Sequence, residues 1–481
     1  MKTFKNLLIA LFATLCGINA YAYDFEEGDY YYTITSSNKD NPTVQISGFT
    51  MKRYKVIIPE EVVYDGVGYK VTSFAYQLFW NHGKVEEVIL PSSITEIPDY
   101  CFYNISTLQS IVVSSNLTKI GKESFANSGL TEIKLPESLT QIGEGCFAGC
   151  NQLRNVDMSS AKSLKQLSKE CFSSSGVNEV ILPNSISEIG DNCFAYCSSL
   201  SKIQIPTGVK IIPYRAFISC ESLTEIILPK GLETIESGAF KGCENLKKIN
   251  FPFAMKGISE WSFQDCESLE ELLLPKLTYF GGFVSFKGSE IFTPAIENAK
   301  SLKKLVIPAE CFSASVSIAE NLNRSFFGGN FSKSEELEEI VVNMLNPELF
   351  CSYYLWFSAS TYQNAVLRVP IGTKERYRAS IDWGSFDNIV EDPDVVGVEV
   401  VAGVEEVQSE TEDIAIDGRC LRVNGDTDVY IKIYDISGKC ALELQTVNGV
   451  ADLSDLSSGL YIAVAKSSKG NATKKFILTG R

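Results

Sequence analysis

Residues 223–243 read LTEIILPKGLETIESGAFKGC, and this stretch decides the fold. Ile226 and Leu228 are apolar at alternate positions, which predicts a short strand with one buried face. Pro229 ends that strand, because proline cannot donate the next hydrogen bond of the ladder. Phe240 is expected to return to the core and fill the back of the turn. The stretch therefore predicts one turn of chain, made of a strand, a bend and a return.

The same stretch recurs at a nearly constant interval. Counterparts of Phe240 follow one another every 22 to 25 residues, at Phe79, Phe102, Phe125, Phe147, Phe172, Phe194, Phe217, Phe240, Phe263 and Phe286. A single turn cannot bury its own apolar face, whereas stacked turns share one core and one parallel sheet. The sequence therefore predicts a solenoid of short parallel strands, one per repeat, with irregular or short helical returns.

The repeat is similar to a known class. The pattern L-x-x-I-x-L-P, followed by I-x-x-x-A/C-F-x-x-C, resembles the BspA-like leucine-rich repeats of bacterial surface proteins. The resemblance covers about residues 54–392 and implies a leucine-rich-repeat solenoid. Residues 287–363 depart from the interval, so an irregular insertion is expected there, although strands of the repeat type recur at 302–308 and 337–342. Residues 366–391 resemble the segment that closes such arrays.

The N-terminal residues have the pattern of an export signal. Lys2 and Lys5 precede an apolar stretch that is too short to span a bilayer, and a small-x-small site follows, so residues 1–22 are expected to be a signal peptide cleaved near Ala22. Residues 23–53 are expected to form a β-hairpin cap over the first turn, because a solenoid needs its terminal core covered. No later segment is apolar enough to predict a transmembrane helix, and residues 393–413 are expected to be an acidic linker.

Residues 414–481 differ from the repeats. Short alternating strands separated by turn residues predict a small antiparallel β-sandwich. The motifs IYDISGK at 433–439 and LSSGLY at 456–461 resemble the C-terminal sorting domains of type IX secretion. That resemblance implies export across the outer membrane and attachment at the surface, and it leaves open whether the domain is cleaved. The alternative is an accessory β-domain that stays on the chain.

Nine of the 14 cysteines follow the repeat. Four precede the core phenylalanine and five lie three residues after it, namely Cys101, Cys146, Cys171, Cys193, Cys150, Cys197, Cys220, Cys243 and Cys266. Stacked turns would place successive Cβ atoms about 5 Å apart, whereas a relaxed disulfide needs about 3.8 Å. We therefore expect buried free thiols, with disulfides as the alternative. A metal site at Cys146/Cys150 or Cys193/Cys197 is less expected, because core packing explains every position.

Several classes of function are disfavoured. The formal net charge of -16 opposes binding to nucleic acid or to anionic lipid. His82 is the single histidine, and it is expected to be a solvated loop residue rather than a catalytic base. The sequence lacks the glycine-rich motifs that hold phosphate groups. No catalytic residue, cofactor or metal is therefore predicted.

The strands themselves offer a binding surface. In each strand the residues on either side of the buried one should point to the outer face of the sheet, the first mostly charged and the second a broken aliphatic stripe. The alternative is that β-branched residues only stabilise the ladder. The predicted partner-binding residues are Ile89, Val112, Glu179, Ile181, Glu225, Ile227, Glu271, Leu273, Val306 and Val341.

The sequence thus predicts a secreted or surface-exposed binding protein without catalytic activity. Its partner would be another protein or a glycan, and the resemblance points to host extracellular matrix and adhesion. One alternative is an envelope component that associates with itself, since the oligomeric state is open. Another is a carbohydrate-active enzyme that uses residues 287–363, where Tyr353, Tyr354, Trp356 and Phe357 form an aromatic cluster in the sequence.

Overall fold

The computed structural model divides into two compact units, residues 1–246 (the N-terminal unit) and residues 247–481 (the C-terminal unit). Described are residues 23–50, 54–286, 289–309, 311, 328–347, 355–381, 383–398, 414–417, 420–423, 430–435, 440–445, 450–453, 456, 459–467 and 470–478. The expected signal peptide, residues 399–413 of the expected linker, and Tyr353 and Tyr354 lie outside the described residues.

A five-stranded sheet begins the N-terminal unit. Its spatial order is Phe25–Glu27, Tyr30–Ser36, Thr43–Phe49, Val67–Phe74 and Glu61–Tyr64. The second and third strands form the expected hairpin, and the third pairs in parallel with the fourth. The sheet therefore extends beyond the expected boundary at residue 53, because the chain makes its first solenoid strand at Lys55–Ile57 and then returns to the sheet.

The solenoid of the N-terminal unit has one three-residue strand per turn. We call the outer surface of these strands the strand face. In each strand the middle residue is buried, as Val156 and Val180 are, whereas the first and third residues point outward. The face strands are Lys55–Ile57, Glu87–Ile89, Ser110–Val112, Glu132–Lys134, Asn155–Asp157, Glu179–Ile181, Lys202–Gln204 and Glu225–Ile227.

The return of each turn adds a second, shorter parallel ladder. Its two-residue strands are Glu96–Ile97, Lys119–Ile120, Gln141–Ile142, Gln166–Leu167, Glu188–Ile189, Ile211–Ile212 and Thr234–Ile235. Behind them the phenylalanines from Phe79 to Phe240 form a single stack, with ring centroids 4.9 to 5.6 Å apart and planes within 13° of parallel. This stack and the parallel strands confirm the predicted solenoid.

The turn after each phenylalanine needs a left-handed residue. The residue two positions after the phenylalanine has positive φ in successive turns, for example 59° at Asn104 and 57° at Asn127. Asparagine tolerates this conformation better than most residues do. The Asn104 amide also donates to Asn81 Oδ1 of the preceding turn at 2.8 Å, so these side chains bond one turn to the next.

The C-terminal unit continues with the same kind of turn. Its face strands pair in parallel and in register: Glu271–Leu273, Lys304–Ile307, Glu339–Val342, Val366–Val369 and Asn388–Glu391. Its return strands are Gly257–Ile258, Tyr279–Phe280, Phe263–Gln264, Ile296–Glu297, Gly329–Phe331 and Leu355–Phe357. Two short helices, Ala359–Asn364 and Lys374–Ala379, lie among the last turns.

One member of the phenylalanine series was assigned wrongly. Phe286 lies in an inserted antiparallel hairpin, Gly282–Phe286 with Ser289–Thr293, and not in a return. The strand Phe263–Gln264 pairs with Ile296–Glu297, so Ile296 stands beside Phe263. The core position is thus displaced by about ten residues, which the sequence did not reveal because the hairpin places a phenylalanine at the expected spacing.

The last described region is a sandwich of two antiparallel sheets. One contains Ile414–Asp417, Cys420–Val423 and Val450–Asp452, and the other contains Cys440–Gln445, Tyr430–Asp435, Gly459–Ser467 and Gly470–Leu478. Their shared core consists of Leu421, Ile431, Ile433, Ala451, Leu453, Leu456, Tyr461 and Ala463. The predicted small β-sandwich is therefore confirmed.

Candidate binding surface

The first residues of the face strands form a charged column. Neighbouring strands pair oppositely charged side chains: Lys202 Nζ lies 2.8 Å from a carboxylate oxygen of Glu225, and Lys55 Nζ lies 2.9 Å from one of Glu87. These pairs are solvent-exposed and contribute about 0–1 kcal/mol each. Glu225, which was predicted as a binding residue, is therefore partly neutralised by its neighbour.

The third residues of the face strands form the predicted aliphatic column. In the N-terminal unit, Val112 is 52% exposed, Ile181 46% and Ile227 39%, and Ile89 is partly exposed. Glu179 is exposed in the first column beside Ile181. The structure thus places these predicted residues on one open face, in a stripe that polar residues interrupt, and exposed apolar side chains on one face are typical of a contact surface.

The sequence reasoning missed Ile57, which is 58% exposed in the same column. Ile57 pairs in register with Ile89, and Ile89 pairs with Val112, so three branched aliphatic side chains stand in consecutive strands. The sequence contains the pattern that would have identified Ile57, because residues 56–59 read VIIP and repeat the pattern VILP of residues 88–91.

A depression lies where two face strands separate. Glu179–Ile181 and Lys202–Gln204 pair only at Glu179 and Lys202, whereas the flanking strands pair over all three residues. The opening has a volume of about 660 Å³. Ile181 lines it together with polar side chains that include Asn178, Ser201 and Gln204. This part of the face can therefore offer both apolar contact and hydrogen bonds.

In the C-terminal unit the prediction was wrong for two residues. Val306 is 5% exposed and Val341 is 6% exposed, because Val395 packs on both of them and Leu273 packs against the same cluster. Val395 belongs to residues 392–398, which we call the strap. The strap lies across the third-residue column, so Val306 and Val341 are not available to an external partner.

Backbone and charge contacts hold the strap in place. Val398 N–H donates to Asn343 O at 2.6 Å, and Leu345 N–H donates to Val398 O at 2.9 Å. At the other end, Arg368 Nη1 lies 3.1 Å from an Asp392 carboxylate oxygen. Arg368 also contacts Glu339, whose pKa is lowered by Lys304 and Arg368 against the opposing effect of burial. Glu271, the remaining predicted residue, pairs with Lys248 at 2.8 Å.

The described cysteines of the N-terminal unit are buried in the core. Cys150 Sγ donates to Phe125 O at 3.0 Å, and Cys197 Sγ donates to Phe172 O at 3.0 Å, so each thiol bonds to the carbonyl of an earlier turn. Burial raises the pKa of Cys150 to about 11 and that of Cys197 to about 12. Thiols in this setting are protonated and unreactive at neutral pH.

The other candidate residues also lie against the core. His82 is half-buried, its ring centroid is 4.9 Å from that of Phe49, and burial lowers its pKa. Phe357 is 9% exposed and stacks on Phe331 at 5.4 Å. Trp356 is 42% exposed. Phe357 therefore contributes to packing, which weakens the idea that the aromatic cluster is a sugar site.

Stacked turns with short parallel strands, a phenylalanine core and an open strand face define a bacterial-type leucine-rich-repeat solenoid. The family model for the BspA type leucine rich repeat region matches residues 72–201 and 187–319 in six copies, which is more than half of the chain. The chain therefore belongs to the BspA-type leucine-rich-repeat family. Residues 413–479 match the model of the secretion system C-terminal sorting domain. Together the two matches indicate an extracellular or cell-surface protein.

Solved structures of similar proteins come from several bacteria. The pneumococcal vaccine antigen PcpA is 20% identical, with 76% of this chain and 98% of that chain covered and a TM-score of 0.44. A leucine rich cell surface protein from Faecalibacterium prausnitzii is 22% identical, with 67% and 95% covered and a TM-score of 0.37. A T. pallidum leucine rich repeat protein is 26% identical, with 47% and 91% covered and a TM-score of 0.35. No curated protein matches the chain.

Within the described part of the chain, every helix is too short or too polar to cross a membrane.

Proposed function

We propose that the protein is an exported binding protein without catalytic activity, and that the strand face of its N-terminal unit contacts a protein or glycan partner outside the cell. The observation that supports this most directly is the broken stripe of exposed aliphatic side chains in the third-residue column, including Val112, Ile181 and Ile227. Burying one such side chain is favourable by about 1.5–3 kcal/mol of free energy relative to leaving it in water. A partner that covers these side chains therefore gains affinity.

Host extracellular matrix is the partner that the resemblance favours. The mature chain, residues 23–481, would be tested against immobilised matrix proteins and mucin by surface plasmon resonance. The double variant Ile181→Asp/Ile227→Asp introduces two charges into the strand face and should reduce binding by at least about 100-fold, because each buried charge costs several kcal/mol. Both positions are exposed, so folding should be preserved.

A matched control lies on another surface of the same unit. Ile211 is 45% exposed and belongs to a return strand, so Ile211→Asp makes the same chemical change away from the strand face. Binding should survive this substitution. Equal loss in both variants, or no loss in the double variant, would reject the strand face as the contact surface.

Self-association is the second candidate, and one observation favours it. Glu61–Tyr64 is an edge strand of the N-terminal sheet, and Val63 at its centre is 63% exposed. Exposed edge strands pair readily with other chains. Sedimentation velocity at increasing concentration would show assembly, and Val63→Lys should abolish it. A monomer at all concentrations would leave only the binding role.

A further inference from the structure

One part of the strand face is covered by another segment of the same chain, and that segment shows what kind of ligand this surface can bind. In the C-terminal unit, Leu273, Val306 and Val341 stand in consecutive strands, and the next strand places Arg368 in the same column. The strap covers this row with Val395, and Asp392, three residues earlier, pairs with Arg368. The occupant is therefore a turn, closed by the Val395 N–H that donates to Asp392 O at 3.1 Å, in which a carboxylate precedes a branched aliphatic side chain.

The N-terminal unit repeats this arrangement, and no described residue covers it there. Ile57, Ile89 and Val112 stand in consecutive strands, and the next strand places Lys134 in the same column. The last two of these strands are adjacent, since Thr131 N–H donates to Gln109 O at 3.1 Å. Ile57 and Val112 are more than half exposed, and Lys134 is exposed as well. Three aliphatic side chains followed by a cation thus occur twice, once covered and once open.

We propose that the open row, Ile57–Ile89–Val112 with Lys134, binds a turn-forming segment of a protein partner that carries an acidic residue about three positions before a branched aliphatic one. The aliphatic side chain would lie between Ile89 and Val112 as Val395 lies on Val306 and Val341. The carboxylate would pair with Lys134 as Asp392 pairs with Arg368. This inference deepens the proposed function and commits to a polypeptide rather than a glycan.

The strap provides the probe. A fluorescent peptide with the sequence EDPDVVGV, residues 391–398, would be titrated with the mature chain, whose own strap stays in place, and followed by anisotropy. Saturable binding is expected at or below about 1 mM, since one short segment buries little surface. Val112→Asp should weaken binding by about tenfold or more, which corresponds to losing the burial of one aliphatic side chain. Ile211→Asp, a change at an exposed isoleucine of a return strand, should have no effect.

A charge exchange tests the second contact. Lys134→Glu should weaken binding of the native peptide, and a peptide with Asp392→Lys should recover binding to that variant. A merely unfolded or misfolded variant could not show this recovery. Circular dichroism of each variant checks the fold independently.

Three outcomes would overturn the inference. They are no binding up to about 5 mM, binding that Val112→Asp leaves unchanged, and binding that responds only to Val341→Asp because the peptide displaces the strap. The Ile181→Asp/Ile227→Asp experiment uses other residues and other ligands. If that double variant loses partner binding but the peptide does not bind the open row, only this inference is rejected, and the proposed function still holds.

Discussion

Raising the pH from 7 to 9 should destabilise the N-terminal unit by several kcal/mol. Burial raises the pKa of all eight thiols between Cys101 and Cys243, to about 12 for Cys197 and Cys243. The folded chain therefore keeps these protons at pH 9, whereas the unfolded chain, with an ordinary thiol pKa of about 8.5, releases most of them. Because the folded pKa is the higher one, stability is complete below about pH 8 and is lost as the pH rises toward the folded values.

The size of the loss follows from proton linkage. At pH 9 the ionisation of one unfolded thiol favours unfolding by about 0.8 kcal/mol, and eight thiols give about 7 kcal/mol. Since whole domains are stable by about 5–15 kcal/mol, this is a large fraction of the total. The urea midpoint should fall steeply between pH 8 and pH 9.

The assay is urea unfolding at 25 °C in the presence of a reductant, followed by circular dichroism at pH 7, 8 and 9. Pulsed alkylation with mass spectrometry would assign the transition to the peptides that contain these cysteines. The variant Cys197→Ala/Cys243→Ala lacks two of the eight groups and should lose about one quarter of the pH dependence. A urea midpoint that does not move between pH 7 and 9 would refute the reasoning and would indicate disulfides or accessible thiols.

Two further substitutions, with one control, test the packing of the turns, and a fourth tests the strap. Phe172→Ala should cost about 3–5 kcal/mol in urea unfolding, because the ring is fully buried in the phenylalanine stack; a loss below about 1 kcal/mol would contradict the stack. Gly143→Ala should cost about 1–3 kcal/mol, because a Cβ there would lie 2.4 Å from the backbone of the preceding turn. Gly83→Ala is its control, with nothing within 4 Å, and should change stability little. Val395→Asp should speed amide hydrogen exchange in residues 392–398 by about tenfold or more, since it removes the apolar contact of the strap; unchanged exchange would show that the backbone bonds alone hold it.

The turns could be predicted from the sequence because their signals are local. A strand, a proline and a phenylalanine recur within one interval, and each side chain packs against its own counterpart one turn away. The same logic correctly put Val112, Ile181 and Ile227 on the outer face. Ile57 was missed although its local pattern was complete, because it stands before the first phenylalanine of the series.

The errors came from contacts that the interval does not contain. Val306 and Val341 follow the repeat faithfully, yet Val395 covers them from more than 50 residues later in the chain. Phe286 satisfied the spacing but lies in an inserted hairpin, and Ile296 takes the core position instead. A periodic pattern predicts neighbours one turn apart, but it cannot reveal a segment that crosses several turns or an insertion that places a phenylalanine at the expected position.

The hairpin between Gly282 and Thr293 has a practical consequence for anyone who engineers this scaffold. It interrupts a return without breaking the parallel pairing of Glu271–Leu273 with Lys304–Ile307. Foreign loops, such as an epitope or an affinity tag, could therefore be grafted at its tip while the opposite side keeps its geometry. Evolution can use the same freedom to diversify one side of the array and leave the strand face unchanged.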